Sequence, residues 1–161
     1  AAAALRKALA TQAAILGEAS QAACATLANL TLACREKGDY ANAVPFGRRA
    51  VAVAAKLFDG PHPLRAACLN NLGLLHTEAG RPEQALPLLE RAATLVEKNL
   101  GAQHPRMATA LSTVAGTLED LGRRDEALPR LIRAVDIRVR HFGDAHPATA
   151  NARVNAVRVP P

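Results

Sequence analysis

The chain has 161 residues, room for one ordinary domain or a short repeat array, and is 50% hydrophobic with only 2% aromatics. That apolar mass is mostly alanine and leucine, both strong helix formers, which points to closely packed helices and excludes a disordered chain. The net charge is +6 with a pI near 9.9, but the excess is split evenly between the two halves and lacks the aromatics of a stacking surface, so nucleic acid is not an expected partner.

The Ala-rich opening could pass for a signal-peptide apolar region, except that Arg6 and Lys7 lie inside it. Lys7-Ala8 instead begins a series continued by Arg49-Ala50, Arg91-Ala92 and Arg133-Ala134, at a step of 42 residues. Residues 1–16 therefore read as the second half of a repeat whose first half is missing. Other columns keep the same step: His62-Pro63, His104-Pro105 and His146-Pro147; Gly38, Gly80 and Gly122; Leu27, Leu69 and Leu111. A repeat this regular signals a stacked array of supersecondary units, since one unit alone cannot cover its apolar face.

Each unit reads as two helices. In the second, Leu69, Leu72, Gly73 and His76 form one helical stripe, and Ala85, Leu89, Ala92 and Val96 another. Pro63 suits a first helical turn, and Gly80 suits a helix stop. Helix pairs are expected over 21–58, 63–100 and 105–142, with a final first-type helix over 147–159 and the whole chain as one repeat domain. Pro45, Pro87 and Pro129 fall about five residues inside the second helices, a recurring breach of helix chemistry read as a built-in bend. Gly47 stands in the column of Leu89 and Leu131, so Phe46 is expected to fill that volume and Gly47→Leu to be tolerated. The three cysteines, Cys24, Cys34 and Cys68, are odd in number with no CxxC spacing and read as reduced, buried hydrophobes, in keeping with a cytoplasmic chain. No run approaches the roughly 18 apolar residues of a membrane span, so no membrane partner is expected.

Leu69-Asn70-Asn71-Leu72, Gly80-Arg81, Ala85-Leu86-Pro87-Leu88, Glu90-Arg91-Ala92, Leu100-Gly101 and His104-Pro105 together resemble tetratricopeptide repeats. The 42-residue period is similar to the kinesin-light-chain type. The resemblance implies an all-α, right-handed helical solenoid of antiparallel pairs. Its first helices line a concave groove that holds an extended peptide, with groove asparagines contacting the peptide backbone. The family's carboxylate clamp does not carry over, because the neighbouring columns hold Ala25, Ala67 and Thr109, and Ala28, Asn70 and Ser112, with no Lys or Arg.

The residues themselves support a groove of this type. Asn29, Asn71, Thr113 and Asn155 recur between the stripe positions of the first helices, with Asn70 beside Asn71. An amide offers both donors and acceptors to a peptide main chain. The expected function is a protein-binding scaffold that takes a protein or peptide ligand. The alternative is a homo-oligomer formed through the groove or the open ends. No enzyme activity, cofactor or metal is expected. Stacked units hold His62, His104 and His146 roughly 15–20 Å apart, given helix spacings of about 8–10 Å, far beyond a shared coordination sphere. His76 reads as core-edge. Glu36, Glu78 and Asp120 read either as an acidic rim that selects basic ligands or, by default, as local partners of Lys37, Arg81 and Arg123.

Overall fold

The computed structural model describes residues 20–144 and 146–157, without the side chains of 148, 152 and 155–157. The half repeat over 1–16 and the end of the chain lie outside the described residues. The order is α1 (Gln21–Glu36), α2 (Tyr40–Leu57), α3 (Pro63–Glu78), α4 (Pro82–Leu100), α5 (Pro105–Asp120), α6 (Arg124–Phe142) and α7 (Pro147–Val157). All seven described elements are helices. They pack as antiparallel pairs α1/α2, α3/α4 and α5/α6, each pair stacking on the next through α2/α3, α4/α5 and α6/α7, the layout of a helical solenoid.

Local chemistry sets the ends of each helix. Ser20 Oγ accepts from the Ala23 amide at the start of α1, and Asp39 caps α2 by accepting from Asn42 N–H. The His-Pro pairs do the same work by another route. His62 Nδ1 accepts from Leu64 N–H and His104 Nδ1 from Arg106 N–H, each at 3.1 Å, directly ahead of a proline that needs no partner. The first helices close on Gly38, Gly80 and Gly122, whose φ of +69°, +70° and +72° reverses the chain. The next residue then donates back into the helix, as Arg81 N–H does to the His76 carbonyl at 2.8 Å.

The core is a series of three apolar clusters set along the stack. Cys24, Leu27 and Leu30 pack with Ala50, Val53 and Cys68; Cys34, Ala43, Leu72 and Leu75 continue it; Leu89, Leu111, Leu118, Leu131 and Ile137 complete it. Alanine and glycine make this density possible. A Cβ on Gly73 would come within 2.6 Å of the Leu89 side chain. The second helices run unbroken through Pro45, Pro87 and Pro129.

Two expectations are corrected. Gly47 is not spare room: a Cβ there would meet Leu72 Cδ1 at 2.9 Å and Thr31 Cγ2 at 3.3 Å, so neighbouring first helices already occupy the space that a leucine would need. The acidic residues also pair differently from the local pattern. Glu78 reaches Arg35 on the preceding first helix at 3.6 Å, and Arg123 pairs with Glu126 at 2.7 Å rather than with Asp120. Two arginines of the last full unit are instead paired with the unit before it, Arg130 with Glu90 and Arg133 with Glu97.

Candidate functional site

A cleft of about 280 Å³ opens between α3 and α5, with α4 behind it. Asn70 and Asn71 of α3 line one side, Arg106 and Thr109 of α5 the other, and Asn99 of α4 the end. Small residues shape it: Ala66 and Ala67 on α3, Ala92 on α4 and Ala110 on α5 keep the walls low and apolar. The site therefore joins an apolar trough to a few polar groups, the composition expected where a ligand is both desolvated and oriented.

The structure brings some of the predicted residues together and separates others. Asn70 and Asn71 are half-buried in the cleft wall. Neither amide makes a side-chain hydrogen bond among the described residues, so both retain their donors and acceptors. Asn29 is exposed on α1, outside the cleft. Thr113 is half-buried, and its hydroxyl donates to the Thr109 carbonyl of its own helix at 3.1 Å. The side chain of Asn155 lies outside the described residues. Ser112 is committed as well, donating to the Ala108 carbonyl and accepting from Arg138 Nη1 at 3.1 Å.

Arg106 and Asn99 belong to the cleft although the groove columns did not include them. Arg106 stands between Leu64 and Ala148 in its column and is a polar departure from it, while Asn99 replaces Leu57 in a column that continues to His141. That departure was the available signal. Arg106 has no carboxylate partner among the described residues, and Asn99 Nδ2 donates to the Leu95 carbonyl at 2.8 Å. Among the described residues no group of three or more His, Cys, Asp or Glu could hold a metal ion, and no helix is long and apolar enough to cross a membrane.

Comparison with known proteins agrees with the fold. The model of the tetratricopeptide repeat family matches residues 23–98 and 75–138. A crystal structure of a Podosopora anserina protein described as a kinesin light chain with nearly identical TPR-like repeats is 25% identical, with a TM-score of 0.87 over 98% of this chain and 75% of that one. BtubC (BKLC) from P. vanneervenii is 20% identical, with a TM-score of 0.73 over 97% of this chain and 65% of its own. YrrB, a TPR protein with an unusual peptide-binding site, is 19% identical with a TM-score of 0.61, over 97% of this chain and 78% of its own. No curated protein matches the sequence. The fold is that of a protein-interaction scaffold in general. With its 42-residue helix pairs, recurrent glycine stops and family match across most of its length, the chain belongs to the tetratricopeptide repeat family.

Proposed function

We propose that the chain is a scaffold that holds an extended segment of a partner protein along its first helices, centred on the cleft between α3 and α5. The observation that carries this reading is the Asn70–Asn71 pair, half-buried beside an apolar trough with no side-chain hydrogen bond among the described residues. An extended peptide brings main-chain amides that must find partners when they leave water. Two adjacent carboxamides can satisfy one N–H and one C=O, while the alanines leave room for the peptide's own side chains. Arg106 adds a cation at the cleft edge, which favours a segment with an acidic residue or a free carboxylate at that point. Asn29 extends the ladder one unit back. Thr113 is its weaker member, because its hydroxyl is held by Thr109.

The test is to select peptides from a random display library on the folded chain and measure their affinity by calorimetry. Loss of one buried hydrogen-bond partner costs about 1–3 kcal/mol, so Asn71→Ala should weaken a groove peptide by about tenfold or more. Selected peptides that bind equally well to the Asn70→Ala, Asn71→Ala double variant would remove the groove from the function. If the same variant instead shifts the oligomer distribution in light scattering, the groove serves self-association.

A further inference from the structure

The repeat frame sets each unit junction beside the next and shows where they differ in charge. Around α4 and α6, the junction carries Glu90, Glu97 and Glu126. Glu90 takes Arg130 at 3.3 Å, Glu97 takes Arg133 at 2.6 Å and Glu126 takes Arg123 at 2.7 Å. One step back, around α2 and α4, the equivalent positions hold Arg48, Ala55 and Gln84. Every carboxylate of that set has been replaced, one of them by a cation. Arg91, the counterpart of Arg133, keeps its charge, yet neither it nor Arg48 has a carboxylate partner among the described residues.

A cleft of about 570 Å³ lies at this junction, lined by Arg48, Gln84, Arg91 and His76, with Leu72 and Pro87 among its apolar walls. It shares no residue with the cleft between α3 and α5. His76 is the second departure from the later junction, where the equivalent residue is Leu118, fully buried. His76 is only 2% exposed, and its Nδ1 is buried without a hydrogen-bond partner among the described residues. Such a polar atom is costly unless something else in the site compensates it.

We propose that this cleft binds a carboxylate from outside the chain, which serves Arg91 and the neighbouring Arg48 as Glu97 serves Arg133 one unit on. Arg48 and Arg91 supply charge-assisted hydrogen bonds to its oxygens, and the Gln84 amide is a neutral donor beside them. The charged and titratable groups around His76 are Arg48 on α2, Arg81 at the turn, Arg91 on α4, and Glu78 on its own helix, which is already held by Arg35 of α1. Cys34 of α1 packs in the adjoining core with Leu72 and Leu75. The surroundings are thus net cationic. Burial, with Arg48 and Arg81, holds His76 below the usual histidine range. A bound carboxylate offsets that positive field, so it raises the titration midpoint of His76. By linkage the ligand binds more tightly as the pH falls through that midpoint.

The experiment follows the His76 ring by NMR while the chain is titrated with acetate, with inorganic phosphate and with an acetylated tetraglutamate peptide, all at constant ionic strength. The expected result is an upward shift in the His76 midpoint with the peptide. Binding should weaken by about tenfold or more in Arg48→Gln, Arg91→Gln. Ala55→Glu, at an exposed position, should abolish the response by giving Arg91 the internal carboxylate that Arg133 has. A stronger response to acetate than to the peptide would support the carboxylate site and assign it to a free carboxylate, whereas a stronger response to phosphate than to either carboxylate would overturn it. No movement with any of the three probes, or equal movement in wild type and Ala55→Glu, would overturn the proposal. The Ala55→Glu comparison stands even if the double arginine variant does not fold.

Discussion

Cys24 Sγ lies 3.6 Å from Cys68 Sγ, joining α1 to α3 across the first unit junction. One step on, the same two positions are Ala66 and Ala110, and both line the cleft between α3 and α5. Two sulfurs fill the space between first helices at one junction, and two methyl groups leave it open at the next. The thiols themselves are buried, at 0% and 2% exposure, and the hydrogen bond to Cys24, with burial, pushes the Cys68 thiol up. Iodoacetamide should therefore label neither cysteine in the folded chain and both in guanidinium chloride, as read by mass spectrometry.

The same relationship predicts how to close the cleft. Ala66→Cys with Ala110→Cys should reproduce the first junction under reducing conditions and keep the thermal midpoint at or above that of wild type. It should also weaken any peptide selected for the α3–α5 cleft by at least tenfold, on the order of 1.4 kcal/mol. Unchanged binding, measured by calorimetry, would place that peptide elsewhere.

Packing between units predicts coupled effects at Leu72 and Gly47. Leu72→Ala should cost roughly 2–5 kcal/mol in urea unfolding, because the side chain is buried between stacked helices. Gly47→Ala brings a methyl against the tip of Leu72 and against Thr31, which offsets the roughly 1 kcal/mol that alanine gains over glycine inside a helix. Its net effect should therefore stay within about 1 kcal/mol of wild type. In the Leu72→Ala background Gly47→Ala should become more favourable, because the closest obstructing atom, Leu72 Cδ1, is gone. A double-mutant cycle with no coupling between these positions would contradict the contact.

His76 makes stability depend on pH. Its folded-state pKa is lowered, by burial first and by Arg48 and Arg81 next. The unfolded chain then binds the proton more readily than the folded one. The stabilising contribution is complete above the unfolded value of about 6.5 and is lost as the pH falls through it towards the lower folded value. Urea midpoints should drop on going from neutral to mildly acidic pH, and His76→Gln should flatten that dependence.

The capping histidines offer an independent check on the repeat chemistry. Removing His62 or His104 by substitution to Ala should cost about 1 kcal/mol each, because Leu64 N–H or Arg106 N–H loses its acceptor. His62→Asn should retain most of that stability, since a short side-chain oxygen can take the same bond. Equal losses for Ala and Asn would point instead to the ring stack of His62 on Phe58, whose centroids are 3.5 Å apart.

The sequence by itself determined that this chain is a stack of helix pairs, because periodicity, glycine stops and alanine-rich stripes are local properties that repeat in register. It also put forward Asn29, Asn70, Asn71, Thr113 and Asn155 as groove residues, because a polar side chain between stripe positions of a first helix is expected to face away from the pair's own core. Only the tertiary structure decided which junction opens into a cleft. That choice depends on whether two residues 44 positions apart, Cys24 and Cys68, meet between helices or leave room as Ala66 and Ala110 do. It likewise decided that Gly47 is filled by Leu72 and Thr31, and that Glu90 and Glu97 reach arginines of the next unit. Column identity tells which residues are equivalent. Distance between side chains on different helices is set by how the units stack, and it is this distance that separates a buried contact, an ion pair and an open site.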